Sequence, residues 1–396
     1  MRVCMVAPSV KIPEPLAQSV HQMEFAKNLV KKGIEVHLVC RREKNRPTHE
    51  SGTFYHRVFS GELPLKRLLF TRSARRVLRS LVRQAKYDLI HDRGYLFGGS
   101  GIAVARKAEI PTVLQIDDDW IRTEALASRI ARTGFYRQMA LKWCTRTLAS
   151  ADFAFTVSES LKRVAVEEWG GDERRIHVIP NGVDLELFNP EAVPLGMRDR
   201  LKAHDDKIVC FVGALGPWHG VDQLLDAFAS ALRSRENLRL VLAGAAREYS
   251  ISHLKNRTRL LGIADSVHFL GGLEHEQIPR LLAECDAAVA PYPSRDFGFS
   301  PLKVFEYMAC GLPTIVSDVP STKEIVEHEV NGILVPAGDA DELSEAIVRL
   351  FDDVALARKI RRGALNTAER FSWRESTERL LHLYELAASR STTSQN

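Results

Sequence analysis

Ser300-Pro-Leu-Lys303 combines residue types suited to recognising an anion. Ser300 suits the N-cap of a helix over Leu302–Cys310, and Pro301 suits its first helical position. Free N–H groups and the positive end of the helix dipole attract negative charge there. Lys303 adds a full cation to that first turn, which opposes the dipole unless an anion is bound. Glu306 lies one turn further along, on the Lys303 face. A second group is Asp117-Asp118-Asp119, following the apolar run Thr112–Ile116. Three adjacent carboxylates could hold Mg²⁺ or Mn²⁺, or Asp117 could act alone at the C-terminal end of a strand. Arg93 ends the preceding apolar run in the same way, and doubly wound sheets bind ligands at those ends. Near the N-terminus, Gln18, Ser19 and His21 lie where a loop passes into a helix. Ser19 reads as a helix cap, and His21 as either a cleft-facing or an exposed imidazole. A third group is Arg72, Arg75, Arg76, Arg79, Arg83 and Lys86, which fall on one helical stripe opposite Ala74, Val77, Leu78, Leu81, Val82 and Ala85. That basic stripe fits anionic lipid head groups or a pyrophosphate-bearing acceptor.

Positioning these groups requires alternating strands and helices. Arg2–Ala7, Glu35–Cys40, Asp88–His91, Thr112–Ile116, Phe153–Val157 and Ile176–Ile179 read as strands in the first half. Ile208–Val212, Leu238–Leu242, Val267–Leu270, Ala287–Ala290, Thr314–Val316 and Ile333–Val335 repeat the pattern in the second. Several lack polar alternation, as parallel strands covered on both faces do. The fold class expected is α/β, with two doubly wound Rossmann-like domains facing a cleft. The expected boundaries are residues 1–188, a Pro- and Gly-bearing linker at 189–206, and a second domain at 207–372. A last helix at 373–388 should pack back on the first domain, leaving 389–396 as a disordered polar tail.

Composition narrows the function classes. The chain has 396 residues, 45% hydrophobic and 27% charged, which excludes disordered, fibrous and disulfide-scaffold classes. Six scattered cysteines without a CxxC pair read as buried thiols in a reducing compartment. No run is long and apolar enough to span a membrane, and Met1–Val10 lacks the features of a signal peptide, so a cytoplasmic location is expected. Residues 1–190 carry 31 Lys and Arg against 21 Asp and Glu, whereas residues 191–396 carry 24 against 29. The first half therefore favours an anionic partner, including the inner face of a cell membrane. Neither interleaved aromatics nor a nucleic-acid module accompanies the basic stripe, so nucleic acid is not expected as a partner. The thirteen histidines lack zinc-site spacing. No GxGxxG follows Arg2–Val6 or Ile208–Val212, which places an NAD-dependent oxidoreductase last among the readings.

Longer segments carry a family resemblance. They are Thr156-Val-Ser-Glu159, Val178-Ile-Pro-Asn-Gly-Val-Asp184 with Phe188-Asn-Pro190, and Phe211-Val-Gly-Ala-Leu215 with His219-Gly-Val-Asp-Gln-Leu224. Phe269-Leu-Gly-Gly272 with Ile278-Pro279, Ser300–Pro313 and Phe371-Ser-Trp373 complete the series. In this order the chain resembles, over nearly its full length, the retaining nucleotide-sugar glycosyltransferases of family 4, which have the GT-B fold. The resemblance implies transfer of a sugar from a nucleotide diphosphate sugar, UDP-linked, to an acceptor hydroxyl with retained configuration. The nucleotide sugar is a co-substrate; no separate cofactor and no metal are implied. The acceptor would be a glycan or a lipid-linked saccharide in cell-surface glycan or glycolipid synthesis. Donor-side positions are Gly213, His219, Asp296, Ser300, Leu302, Lys303 and Glu306, with Glu306 matching the residue that holds the ribose hydroxyls. Asp117 matches a position where relatives place a cleft histidine, and with Lys303 and His21 forms the catalytic set. Arg93, Ser19 and Gln18 would lie on the acceptor side. The chain departs from the family pattern at Gly298, where an earlier glutamate is usual and Asp296 is the nearest carboxylate. It departs again at Ala214 and His219, where Arg and Lys are usual. A nucleotide-sugar-binding protein with weak or no transfer activity is the alternative those departures raise.

Overall fold

The computed structural model of the chain describes residues 1–393, except for 15–16, 42, 44–45, 59–65, 217–218, 246–247 and 295–297. The chain forms two compact units: residues 1–181 with 297–300 and 373–396, and residues 182–296 with 301–372.

In the first unit the strands are β1 (Arg2–Lys11), β2 (Glu35–Arg41), β3 (His49–Glu50), β4 (Thr53–Arg57), β5 (Leu89–Arg93), β6 (Thr112–Ile116), β7 (Phe153–Thr156) and β8 (Ile176–Val178). They form one sheet in the order β3-β4-β2-β1-β5-β6-β7-β8, parallel except for the short β3–β4 pair. The chain winds outward from β1 in one direction and from β5 in the other, so β1 and β5 flank the topological switch point. β1 is buried along most of its length and β6 throughout, as strands covered on both faces must be. Helix Lys66–Gln84 packs Ala74, Leu78 and Leu81 against Cys4, Val6 and Val39, which explains the apolar stripe opposite its arginines. The β3–β4 hairpin was not legible in the sequence, because its short runs mix His, Phe and Tyr without a clear apolar period.

The second unit has β9 (Lys207–Val212), β10 (Leu238–Ala243), β11 (Val267–Gly271), β12 (Ala287–Ala290), β13 (Thr314–Asp318) and β14 (Ile333–Pro336). The order is β11-β10-β9-β12-β13-β14, with every pairing parallel and the switch point between β9 and β12. Its core joins Val209 and Phe211 of β9 to Leu224, Leu225 and Phe228 of helix Val221–Ser234.

Two expectations need correction. The segment 189–206 is not a free connector, because it belongs to the second unit and contains helix Met197–Leu201. Arg198 fastens it by bonding the Glu284 carbonyl at 2.9 Å and the Asp286 carboxylate at 2.5 Å. The final helix runs Trp373–Thr393, so residues 389–393 are helical rather than disordered. Continued backbone hydrogen bonding carries that helix into polar sequence. The expectation for residues 394–396 lies outside the described residues.

Candidate functional site

In the first unit, Arg93 and Asp117 close the ends of adjacent strands β5 and β6. Arg93 Nε lies 2.6 Å from Asp117 Oδ2, and Arg93 Nη1 reaches Ser9 Oγ of β1 at 3.4 Å. The pair therefore sits at the switch point of this sheet. His21 Nδ1 is 3.8 Å from Asp117 Oδ1, with its ring held beside Phe25 and Trp373. His21 is buried, so the exposed-imidazole reading fails; the aromatic neighbours enclose it.

A buried polar chain supports Asp117. Burial lowers the His21 and His91 pKa values to about 4, so both rings are neutral near pH 7. Neutral His91 accepts from the Tyr384 hydroxyl at Nδ1 (2.7 Å) and donates from Nε2 to Gln115 Oε1 (2.8 Å). Gln22 Nε2 donates to the same oxygen at 2.9 Å. Gln115 Nε2 then donates to Asp117 Oδ1 at 2.6 Å. Burial by itself would raise the Asp117 carboxyl, but Arg93, His21 and Gln115 together hold it below the usual carboxylate range. Asp117 is thus a fixed, ionised acceptor beside a guanidinium. Gln22, His91, Gln115 and Tyr384 were missed in the sequence. A glutamine within the apolar run Thr112–Ile116 was the one available signal; Tyr384 gave none.

Other first-unit expectations separate. Ser19 lies inside helix Ala17–Lys31 rather than capping it; it is buried, accepts from the Glu14 N–H at 3.0 Å and contacts Met23 Sδ at 3.7 Å, whereas Gln18 is exposed. Asp119 caps helix Trp120–Ala127 by accepting from the Ile121 and Arg122 N–H groups at 3.1 and 3.0 Å. It also pairs with Arg122 at 2.5 Å. Asp117 and Asp119 therefore have different tasks, and no cluster of three potential metal ligands occurs among the described residues. In the basic stripe, Arg72, Arg76, Arg79 and Arg83 are exposed, and Lys86 is exposed just beyond the helix end. Arg75 is the exception: it is half-buried and its charge acts on Asp92.

The Ser300 expectation is also corrected. Pro301, not Ser300, is the residue before helix Leu302–Ala309, and it offers no side-chain cap. Ser300 Oγ instead accepts from the Asn181 N–H at 3.1 Å, while Asn181 Nδ2 donates to the Ser300 carbonyl at 2.9 Å. The Asn-Gly turn thus clamps the loop rather than merely reversing the chain. Gly298 lies in this loop at φ +69°, where an added Cβ would come within 2.7 Å of Leu161 Cβ. The local backbone leaves no space for the glutamate usual at this position. Asp296 lies outside the described residues.

In the second unit, Lys303 rises from the first turn of helix Leu302–Ala309, next to Leu302 at its start. Its Nζ lies 4.1 Å from the Phe211 ring centre and 5.4 Å from that of Tyr292. Phe211 belongs to β9 and Tyr292 follows β12, so the ammonium occupies the switch point of this sheet too. Tyr307 fixes the helix there by accepting the Val212 N–H at 2.7 Å. Burial lowers the Lys303 pKa to about 7, although Glu306 favours its charged form. Gly213 has φ +145°, and an added Cβ would lie 2.9 Å from Lys303 Nζ. Its missing side chain lets the ammonium lie against the backbone. His219 is depressed to about 4 by burial and then by the Lys303 charge, so it does not replace a permanent cation near pH 7. Glu306 lies 3.5 Å from His275 Nε2, and the His275 ring rests 5.2 Å from that of Phe188. His275, Phe211 and Tyr292 were not singled out as site residues in the sequence, because only folding brings them to the Lys303 turn.

The family described as "Glyco_transf_4: Glycosyltransferase Family 4" matches residues 18–187, and "Glycosyl transferases group 1" matches residues 196–367. D-inositol 3-phosphate glycosyltransferase 1 of Catenulispora acidiphila is 30% identical over 313 residues, covering 76% of this chain and 72% of that protein. D-inositol 3-phosphate glycosyltransferase of Nocardia farcinica is 28% identical over 389 residues, covering 93% and 84%. The fold matches sucrose-phosphate synthase from Thermosynechococcus elongatus with a TM-score of 0.81, at 22% identity and coverages of 97% and 98%. HepE from Anabaena, solved in complex with UDP and glucose, gives a TM-score of 0.76 at 21% identity, with coverages of 96% and 98%.

Proposed function

The chain belongs to glycosyltransferase family 4, and on that premise we propose that it transfers a sugar from a UDP-linked donor to an acceptor hydroxyl with retained anomeric configuration. The observation that carries this reading is the Lys303 ammonium. It sits at a helix start and a sheet switch point, against two aromatic rings, with no carboxylate within 4.0 Å among the described residues. A leaving diphosphate needs its charge neutralised more than it needs a proton. Lys303 and the first N–H groups of helix Leu302–Ala309 supply that neutralisation, and Glu306 beside His275 takes the ribose hydroxyls. Asp117, ionised by its Arg93 partner, accepts a hydrogen bond from the acceptor hydroxyl, with His21 holding its flank. Metal independence is part of this reading, and the engagement of Asp119 as a helix cap supports it.

The acceptor is a glycan or lipid-linked saccharide in cell-surface glycan or glycolipid synthesis. The names of the curated relatives make D-inositol 3-phosphate a soluble acceptor to try first. Thermal shift with UDP-, GDP- and ADP-sugars, followed by product analysis, tests the assignment. Stabilisation by a UDP-sugar with a glycosylated product supports it. Binding without turnover across the acceptor panel would leave a donor-binding protein, and preference for another base would overturn the UDP assignment.

A peripheral position on the inner face of the cell membrane is the second part of the reading. Exposed Arg72, Arg76, Arg79, Arg83 and Lys86 support it. Among the described residues, no helix is long and apolar enough to cross a membrane. Salt-sensitive co-sedimentation with anionic vesicles tests this part, and indifference to lipid charge would overturn it.

A further inference from the structure

The connection between helices Trp120–Ala127 and Gly134–Ser150 exposes large apolar side chains: Leu126 at 48%, Ile130 at 71%, Phe135 at 79% and Met139 at 43%. These groups stand on a built turn. Thr133 donates its hydroxyl to the Ile130 carbonyl at 2.8 Å and accepts the Tyr136 N–H at 3.4 Å, capping the second helix. Arg132 Nε donates to the Ala125 carbonyl at 2.8 Å, tying the turn to the preceding helix. Ala131, Ala140, Cys144 and Leu148 face the core. Phe135 and Met139, four residues apart, share a different face.

Within the segment itself the charges have one sign, although Glu124 lies on the preceding helix and Arg122 there pairs with Asp119 and Glu168. No acidic residue occurs between Glu124 and Asp152, while Arg129, Arg132, Arg137, Lys142 and Arg146 are all exposed. Exposed bulky apolar groups suit an interface, and a segment whose charged residues from Ala125 to Ala151 are all cationic matches an anionic bilayer.

We propose that this connection is a bilayer-insertion element, in which Ile130 and Phe135 enter the acyl boundary while Arg129, Arg137 and Lys142 meet anionic head groups. This deepens the membrane reading given above and rests on it, but uses a surface distinct from the Arg72–Lys86 stripe. The stripe supplies attraction that salt screens. The inserted side chains supply an apolar contribution that salt leaves in place.

The test is co-sedimentation of the full chain with phosphatidylcholine vesicles and with phosphatidylcholine–phosphatidylglycerol vesicles, at low and at molar salt. Arg72→Glu/Arg79→Glu/Arg83→Glu should lose most of the salt-sensitive binding. Ile130→Ser/Phe135→Ser should lose the salt-resistant remainder, by about tenfold or more for two bulky apolar groups. An environment-sensitive dye on Phe135→Cys should shift to the blue with anionic vesicles; the native cysteines are buried, which directs labelling to that position. Unchanged binding by the double serine variant overturns the inference, as does an unshifted dye on sedimenting protein. Failure of the wild type to sediment also overturns it. A dimer that the serine substitutions dissolve would reassign the surface to self-association. Donor binding and transfer to a soluble acceptor should persist in the serine variant; their absence in the wild type would count against the proposed reaction and not against insertion.

Discussion

The two sheets handle charge at their switch points in opposite ways. In the first unit, Asp117 is bound to Arg93 and held by a relay running through Gln115 and His91 to Tyr384. The charges balance internally, so the network should contribute to the folded state whether or not a ligand is bound. In the second unit, Lys303 rests on Phe211 and Tyr292, and burial has already weakened its hold on the proton. That cation becomes favourable when an anion arrives. The difference teaches that similar sheet geometry can produce a charge paired in place or one resting on aromatic rings with its proton loosened by burial.

Substitutions can break the comparison directly. Asp117→Ala leaves the Arg93 guanidinium buried without its carboxylate, which should cost about 3 kcal/mol of stability. Urea unfolding checks this, with donor affinity of the remaining folded protein expected unchanged. Glu306→Ala should do the reverse: its unfolding midpoint stays near wild type while donor affinity falls by roughly 1.5–3 kcal/mol. Calorimetric titration with UDP-glucose would read that loss, and an unaltered Kd would remove Glu306 from the site. Gly213→Ala comes next, because a side chain at φ +145° strains the backbone and crowds Lys303. A cost of about 1–2 kcal/mol is expected, appearing in donor affinity as well as stability.

Acidity sharpens the contrast. Lys303, with a pKa lowered to about 7, is increasingly neutral as pH rises above that value. Diphosphate binding favours its charged form, so donor affinity should fall across pH 7 to 9, by at most about tenfold per unit. His21 and His91 act on the fold instead. Their folded pKa of about 4 lies below the ordinary value, so the unfolded chain binds protons first as pH falls. Stability should therefore decline from about pH 6.5 toward 4, with a slope near 1.4 kcal/mol per unit for each ring. Unfolding midpoints and donor titrations across the same pH series would separate the two behaviours. A pH-independent donor Kd would contradict the Lys303 role. The smallest expected effect is that of EDTA on transfer, which should leave the rate unchanged; a loss restored by Mn²⁺ would return attention to Asp117–Asp119.

The sequence contained the alternation of strands and helices, because a strand covered on both faces must be apolar throughout and Thr112–Ile116 nearly is. It also placed Lys303 and Glu306 on one helix, since helical periodicity puts residues three apart on one face. The tertiary structure decided how the neighbouring polar residues are used. Ser300 was a reasonable cap by type, but Asn181 takes its oxygen. The three aspartates look equivalent in a row, yet one pairs with Arg93 and another caps a helix. Tyr384 stands 293 positions from His91 and still holds its ring. Local sequence expresses backbone preference and burial within a few residues. Which distant group satisfies a buried polar atom depends on chain crossings, and these follow only from packing the whole sheet.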